Sequence, residues 1–403
     1  NYSPPLCKRF QRITHVPFLN SLSNNVVSCI VEDNKHNLWI GTSDGGLNYY
    51  DNASQLYKNY LFNSGNLDVP FKDIKTVYVD EVQDRIYVGA HAGGMMVLHR
   101  KSGYIEYYNR HNSNLPSNNI YSIISDGYGG LWVASLEYLL HFDIDKRNFT
   151  IVDVDEDGHK LQQYNRLLFC DSKKRIWAGG EMGISVFNQV GTSLLPNTDF
   201  QIASVLKQAF VNCFYETSSG YLWIGTRNGL FALKESDKQF LQYTTENGLP
   251  SNVIYGILED AYGRLWISTN QGLSCLNPES GKFRNFTIMD GLQGNQFNAG
   301  AYCRKDNGYM LFGGVNGITS FRPETLIDNP YAPKPVINKL FVHNKEVLPD
   351  DETGILKESI TYVNRITLSS SQNSFAISFV VSNYIAGKHN TFTYKLEGYD
   401  NVW

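Results

Sequence analysis

The sequence predicts an all-β fold: a seven-bladed β-propeller of four-stranded blades, followed by the beginning of an immunoglobulin-like β-sandwich. Three observations predict it. A motif recurs at intervals of 43 to 48 residues along most of the 403-residue chain. Each repeat contains four short apolar runs separated by turns rich in Gly, Asn and Asp, which is typical of antiparallel hairpins. Aromatic residues make up 13% of the chain, and this composition favours strands over helices.

The repeat is marked by one residue in its second strand, in a context such as Leu-Trp-Ile-Gly-Thr at 38–42 and 222–226. The seven marker residues are Trp39, Tyr87, Trp132, Trp177, Trp223, Trp266 and Leu311. Four strands in a unit of this length form one propeller blade, and radial packing of blades leaves only short, protected edges. We expect each marker ring to pack against the next blade, so the recurring Trp and Gly residues are assigned to architecture.

The two ends of the repeat region predict how the ring closes. The seventh unit, at 295–321, supplies only three strands. The segment 8–14 precedes the first unit and resembles an outermost strand. We therefore predict that this segment completes the last blade, and we assign residues 1–326 to the propeller.

The sequence changes character after the seventh unit. Residues 327–335 form a Pro-rich linker. Residues 336–403 contain short alternating strands, which predict a partial immunoglobulin-like sandwich domain that is too short for seven strands. We therefore expect the chain to be a fragment of a longer protein.

Charge, hydropathy and cysteine usage exclude several classes of function. The formal net charge is −4 and no cluster of Lys and Arg occurs, so nucleic-acid binding is not expected. No apolar run approaches the roughly 18 residues that cross a bilayer, so we expect any anchor or export signal outside this chain. The six Cys residues have no metal-ligand spacing and are interpreted as buried free thiols in preference to a disulfide framework.

Enzyme motifs are also absent from the sequence. It contains no His-Glu-x-x-His motif, phosphate-binding Gly loop or Gly-x-Ser-x-Gly elbow, and we predict no catalytic residue, cofactor or metal. The acidic run 153–157 lacks the ligand spacing of a calcium loop and is interpreted as a solvated loop. A carboxylate pair of the glycosidase type cannot be identified in a fold that brings distant residues together.

The repeats resemble a known family. Leu249-Pro250-Ser251-Asn252 before a first strand, with Leu-Trp-Ile-Gly-Thr in the second, is similar to the two-component regulator propeller repeat. The ending 392–403 is similar to the Tyr-rich sandwich domain that follows such propellers. This pairing is typical of periplasmic sensor regions of hybrid two-component systems in Bacteroidetes. In that family two propellers precede the sandwich domain, and a membrane helix, a histidine kinase, a receiver and a DNA-binding module follow it.

The resemblance implies an extracytoplasmic domain that senses glycan-derived oligosaccharides and controls polysaccharide-utilisation genes. It implies a homodimer that contacts an adjoining propeller of the same chain. It also implies a periplasmic location, as part of an inner-membrane protein whose membrane helix and kinase lie outside this chain. No catalysis is expected in this chain itself.

The candidate ligand residues are polar positions that vary from blade to blade in the loops between the second and third strands. These loops and the interblade loops surround the central funnel, and a position that varies within a repeat has no architectural duty. The candidates are Asp44, His91, Glu137, Glu181, Arg227, Asn270 and Asn316. Arg227, Asn270 and Asn316 would suit sugar hydroxyls or a carboxylate.

Two further groups of residues repeat near these loops. Tyr121, Tyr255 and Tyr302 could offer flat surfaces to sugar faces. Asn25, Asn118 and Asn252 each stand 14 residues before a marker Trp, and we predict that they cap turns.

Two alternatives to the sensor remain open. One is a propeller lyase or hydrolase that acts on polysaccharide. The other is an interaction platform that binds no small ligand.

Overall fold

The computed structural model describes residues 10–60, 71–135, 137–152, 165–197, 206–234, 239–326 and 334–381, with 395, 397 and 398. The contacts divide the chain into two units, Lys8–Leu326 and a unit of Asn1–Cys7 with Ile327–Trp403. Most of the Pro-rich linker and most residues after 381 lie outside the described residues.

The first unit consists of antiparallel four-stranded sheets, and blades 1 to 6 are each built from four consecutive strands. The chain begins with β1 (Gln11–Ile13), which belongs to the last blade. Blades 1 to 3 contain β2 (Val27–Glu32), β3 (Leu38–Thr42), β4 (Gly46–Asp51), β5 (Leu56–Tyr60), β6 (Ile74–Asp80), β7 (Arg85–Ala90), β8 (Gly94–His99), β9 (Ile105–Tyr108), β10 (Ile120–Ser125), β11 (Leu131–Ser135), β12 (Leu139–Asp143) and β13 (Asn148–Ile151). Blades 4 to 6 contain β14 (Asn165–Cys170), β15 (Arg175–Gly180), β16 (Gly183–Val190), β17 (Ser193–Pro196), β18 (Val211–Glu216), β19 (Leu222–Thr226), β20 (Gly229–Lys234), β21 (Gln239–Tyr243), β22 (Ile254–Glu259), β23 (Leu265–Thr269), β24 (Gly272–Asn277) and β25 (Lys282–Phe286).

Blade 7 joins the two ends of the ring. It contains β26 (Phe297–Arg304), β27 (Met310–Gly314) and β28 (Gly317–Phe321), and β1 pairs with β28 as the fourth strand. Arg12 lies opposite Thr319 in this antiparallel pair. The described part of the first unit thus has seven four-stranded blades, and the predicted seven-bladed β-propeller is confirmed.

The marker strands form the core between blades. Strands β3, β11, β19, β23 and β27 are buried along their whole length, and the fourth strands are less buried than these. The Trp177 ring lies 6.0 Å from the ring of Phe214 in blade 5, and the Trp266 ring lies 4.7 Å from that of Phe321 in blade 7. The marker aromatics therefore pack against the following blade.

A Gly two residues after the marker lets neighbouring blades approach closely. A Cβ on Gly41 would lie 2.7 Å from Ile74 Cγ2 of blade 2, and a Cβ on Gly225 would lie 2.7 Å from Ile254 Cγ2 of blade 6. These Gly residues have no positive φ, in contrast to Gly272 (φ 114°), which begins a third strand. The repeat thus uses Gly for close packing as well as for turns.

The second unit contains a three-stranded antiparallel sheet among its described residues. Its strands are β29 (Pro335–Val342), β30 (Lys345–Glu346) and β31 (Phe375–Val381), in the order β30-β29-β31. Leu340, Val347, Leu356 and Ile360 are buried beside this sheet. The immunoglobulin-like assignment of 336–403 stays a prediction. The described 3₁₀ helices of the chain are Thr245–Asn247, Ile288–Asp290, Pro323–Thr325, Ile360–Tyr362 and Ser370–Gln372.

The described cysteines are free thiols that belong to propeller strands. They are Cys29, Cys170, Cys213, Cys275 and Cys303. Burial raises the pKa of Cys29 to about 12 and that of Cys275 to about 11. Thiols with such pKa values are poor nucleophiles, in keeping with a packing role.

Candidate functional site

Every blade carries a β-bulge at the same place in its first strand. In blade 1, Val27 pairs with Thr42 and Cys29 pairs with Gly41, so Ser28 between them has no partner on β3. Corresponding register shifts occur in the first strands of the other six blades. A bulge releases one residue from the ladder and re-aims its side chain, and bulges are frequent beside functional sites.

The seven bulges place a ring of side chains around one cavity. The unpaired positions are Ser28, Lys75, Tyr121, Arg166, Asn212, Tyr255 and, in the longer bulge of blade 7, Asn298 to Ala301. At least one residue from each bulge lines a cavity of about 330 Å³. The wall is completed by Val26, Ser43, Leu167, Phe210, Val211 and Arg227. We call this space the axial cavity.

Three of the ring residues join neighbouring blades. The Ser28 hydroxyl donates to the carbonyl oxygen of Ile74 in blade 2. Asn212 Nδ2 donates to Ile254 O of blade 6 at 2.8 Å, and Asn298 Nδ2 donates to Val27 O at 2.7 Å. The last bond connects blade 7 to blade 1. These three side chains therefore stabilise the contacts between blades. The side chains of the other ring residues make no such bond to a neighbouring backbone in the described part of the chain; they are Lys75, Tyr121, Arg166 and Tyr255.

The charged ring residues are held by carboxylates. Lys75 Nζ lies 2.8 Å from Asp73 Oδ2, and Ser43 Oγ donates to the other oxygen of Asp73 at 2.9 Å. The Arg166 guanidinium pairs with Glu181. Both pairs are partly exposed, so each orients a side chain more than it stabilises the fold.

Aromatic rings separate these cations. The Arg166 guanidinium lies 5.0 Å from the Tyr121 ring centroid and 5.7 Å from that of Phe210. The Arg227 guanidinium lies 3.6 Å from the Phe210 centroid, a close cation–π contact. Burial raises the pKa of Tyr121, which keeps its hydroxyl protonated and able to donate a hydrogen bond.

The candidates from the sequence divide into two groups. Arg227 lines the axial cavity, Glu181 reaches it through Arg166, and His91 reaches it through Tyr121, whose hydroxyl lies 3.3 Å from His91 Nδ1. The structure does not bring Asp44, Glu137, Asn270 and Asn316 to the cavity wall. Asp44, Glu137 and Asn316 are exposed on their loops, and Asn270 is half-buried with its Oδ1 buried and without a hydrogen-bond partner in the described part of the chain.

Most residues that line the axial cavity were not predicted from the sequence. Tyr121 and Tyr255 line the cavity as expected, but Tyr302 does not. Tyr302 packs among the cores of blades 5 to 7, and burial raises the pKa of its hydroxyl. Lys75, Arg166 and Asn212 were not predicted from the sequence. Each is the second residue of the first strand of its blade, so aligning the repeats at that position would have identified them.

One group of three described residues offers ligand atoms that could hold a metal ion. Glu32, His36 and Asp306 each offer one ligand atom within 4.8 Å of one another. They belong to the first-to-second turns of blades 1 and 7, and the Lys305 ammonium lies 3.8 Å from Glu32 Oε1. This lysine offsets the charge of the buried carboxylate, so we assign no metal to the group. The acidic run 153–157 lies outside the described residues.

No helix in the described part of the chain is both long enough and apolar enough to span a bilayer.

Comparison with known proteins relates the repeat to a family. The family model described as two component regulator propeller matches residues 21–44, 114–137, 206–228 and 248–271. A curated relative, histidine kinase P4 from Formosa agariphila, is 26% identical over 397 residues, which cover 95% of this chain and 28% of the relative. The chain thus spans less than a third of that protein.

Solved structures share the fold. One is the extracellular domain of the hybrid two-component system BT3049 from B. thetaiotaomicron, with a TM-score of 0.69, 23% identity, and coverage of 94% of this chain and 49% of that chain. Another is virginiamycin B lyase from Staphylococcus aureus, with a TM-score of 0.56, 12% identity, and coverage of 77% of this chain and 97% of that chain. Four segments of the chain therefore match the two-component regulator propeller repeat, and the fold is similar to that of the extracellular domain of a Bacteroides hybrid two-component system.

Proposed function

We propose that this chain is the ligand-sensing part of the extracellular region of a hybrid two-component system, and that its axial cavity binds a glycan-derived oligosaccharide. The observation that carries the proposal is the ring of bulge residues. Seven blades contribute polar or aromatic side chains to one cavity, and in the described part of the chain four of these side chains make no hydrogen bond to the backbone of a neighbouring blade. A small set of polar groups among aromatic walls is the usual construction of a small-molecule site.

The chemistry of the wall favours a sugar. Tyr121, Phe210 and Tyr255 offer apolar faces, and Ser43 and Asn212 add hydroxyl and amide groups. Saccharides present the same combination, since their rings have apolar faces and hydroxyl edges. The repeats and the relatives support a sensor more than a catalyst.

The proposed signal is a change in population between two arrangements of the sensor. A ligand shifts such an equilibrium only by its difference in affinity for the two states. We propose that the protein works as a homodimer in the periplasm, beside an adjoining propeller, with a membrane helix and histidine kinase elsewhere in the protein. Its output would be the control of polysaccharide-utilisation genes.

Calorimetric titration with a panel of oligosaccharides tests the ligand site. Tyr255→Ala removes one face of the cavity and should weaken binding by about three- to tenfold, the equivalent of about 0.5–1.5 kcal/mol. Tyr262→Ala is the matched control, because Tyr262 lies in the first-to-second turn of the same blade and is 66% exposed. If both variants weaken oligosaccharide binding equally, or if neither weakens it, the result would argue against binding in the axial cavity.

A second candidate function is polysaccharide cleavage. The similarity in fold to virginiamycin B lyase favours it, because a propeller of this kind is a lyase in that protein. Chromatography of the titrated oligosaccharides after prolonged incubation separates the two functions. Recovery of intact ligand supports the sensor, and the appearance of shorter products supports the enzyme.

A further inference from the structure

The axial cavity is walled by cations and no anion. Lys75, Arg166 and Arg227 all line it, and no carboxylate belongs to its described lining. This contrasts with the chain as a whole, whose formal net charge is −4. The carboxylates nearest these cations, Asp73 and Glu181, support Lys75 and Arg166 from behind the wall.

Arg227 differs from the other two cations. In the described part of the chain no carboxylate lies within ion-pair distance of its guanidinium, which instead stacks on Phe210 at 3.6 Å. Stacking fixes the plane of the guanidinium and leaves its N–H groups available at the edge. A planar fork of donors held in this way matches the two oxygens of a carboxylate.

Phe210 also joins Arg227 to the ring of bulge residues. The Arg166 guanidinium contacts the same aromatic ring at 5.7 Å. One phenyl group therefore organises two guanidinium groups, and among the described residues a carboxylate neutralises Arg166 but not Arg227. The Tyr121 hydroxyl and the Asn212 side chain stand on the same wall. An anionic group bound at Arg227 would thus have neutral hydrogen-bonding and aromatic surfaces beside it for the rest of a sugar.

We infer that the axial cavity selects an acidic oligosaccharide, with a carboxylate or sulfate group of one sugar bound by Arg227 and neighbouring units packed on Tyr121 and Tyr255. This inference rests on the proposed function and narrows its ligand class. A neutral oligosaccharide would leave the Arg227 donors without an anionic acceptor. The two sources of negative charge differ in shape, since a carboxylate is planar and a sulfate ester is tetrahedral.

The test uses the 403-residue chain and matched pairs of oligosaccharides in calorimetry. One pair is trigalacturonate and its carboxyl-reduced form, and the other is a sulfated disaccharide and its desulfated form. We expect the acidic member of at least one pair to bind more tightly than its neutral form by about 10- to 100-fold, the range of a charged hydrogen-bonded pair. The pair that shows the difference identifies carboxylate or sulfate as the group recognised.

Variants locate the effect. Arg227→Gln should abolish the preference for the acidic member, so that the acidic and neutral members of the pair bind this variant with equal affinity. Arg284→Gln is the control, because Arg284 also lies over a phenylalanine ring, at 4.8 Å from Phe286, on the outer strand β25. Equal binding of acidic and neutral members overturns the inference and leaves the sensor standing. Loss of preference in Arg284→Gln and not in Arg227→Gln overturns it too, and failure of every oligosaccharide to bind overturns both proposals.

Discussion

At the scale of single residues, a buried carboxylate organises the first turn of a blade. Asp260 Oδ2 accepts from Trp266 Nε1 at 3.0 Å and from Arg264 Nε at 2.7 Å, and its other oxygen accepts backbone N–H groups. Asp33 and Asp171 stand in the same relation to the marker Trp of their own blades. The Asp therefore ties the turn to the marker strand, six residues further along the chain.

Asp260→Asn should lower the free energy of unfolding of the propeller by about 1–3 kcal/mol. The amide cannot accept from the Trp266 and Arg264 donors at the position where it presents its own N–H₂ group. Urea denaturation followed by tryptophan fluorescence measures the change. Asp44→Asn is the control, since Asp44 is exposed on its loop and should shift stability by less than about 0.5 kcal/mol. Similar midpoints for wild type and Asp260→Asn would contradict the turn-organising role.

The sequence predicted the structural roles of residues that recur at the same position of several repeats. Asn25, Asn118 and Asn252 each accept a backbone N–H of the preceding segment, at 2.7, 2.9 and 2.8 Å, which confirms the predicted caps. The cavity wall was harder to predict, because a bulge depends on register between strands. A residue's partner on the neighbouring strand is not visible in its own sequence, so Lys75 and Arg166 read as ordinary strand positions.

At the scale of elements, a Gly two residues after the marker controls the distance between blades in five of the seven repeats. Gly225→Ala should destabilise the propeller by about 1–3 kcal/mol, because the added Cβ would overlap Ile254 of the next blade and Cys213 of its own. Ser268→Ala is the matched control, since blade 6 already accommodates a Cβ at the equivalent place. Thermal unfolding of the two variants measures the difference. A Gly225→Ala protein as stable as the control would mean that neighbouring blades can accommodate the added Cβ without loss of stability.

The sequence predicted the strands and their grouping into blades, but not the structural role of the recurring Gly residues. The four-strand repeat and its spacing predicted the blades, because each strand must bury one face and the period repeats. The recurring Gly residues were assigned to architecture in general, and the structure shows that those at 41, 89, 179, 225 and 313 serve close packing between blades. Packing between blades involves residues about 30 residues apart, which a local pattern does not reveal.

At the scale of the whole molecule, ring closure depends on the segment around β1. The Phe10 ring is buried and lies 5.3 Å from the ring of Phe286 in blade 6 and 5.0 Å from that of Phe321 in blade 7. The Arg12 guanidinium donates to the carbonyl oxygen of Gly291 at 3.0 Å. The start of the propeller is therefore fastened to its last two blades by side chains as well as by the β1–β28 ladder.

Phe10→Ala should lower the free energy of unfolding by about 3–5 kcal/mol, the usual range for a buried phenylalanine. Because the lost contacts hold the closing strand, hydrogen exchange should also accelerate in β28. Phe18→Ala is the control, since Phe18 is fully exposed. Denaturation and exchange together measure the effect, and unchanged exchange in β28 would show that the ring closes without this contact.

Under the proposed function, the ring of bulges also determines how the ligand specificity could be changed. Its residues lie outside the ladder, so exchanging one of them alters the cavity and spares the strands on either side. Three of the ring residues, Ser28, Asn212 and Asn298, hydrogen-bond the backbone of a neighbouring blade, and the residues at 75, 121, 166 and 255 make no such bond in the described part of the chain. A propeller built in this way can change the lining of its cavity at four positions while its strands stay the same. Transfer of these four residues, together with Phe210 and Arg227, into another propeller of the family should therefore transfer the proposed ligand specificity.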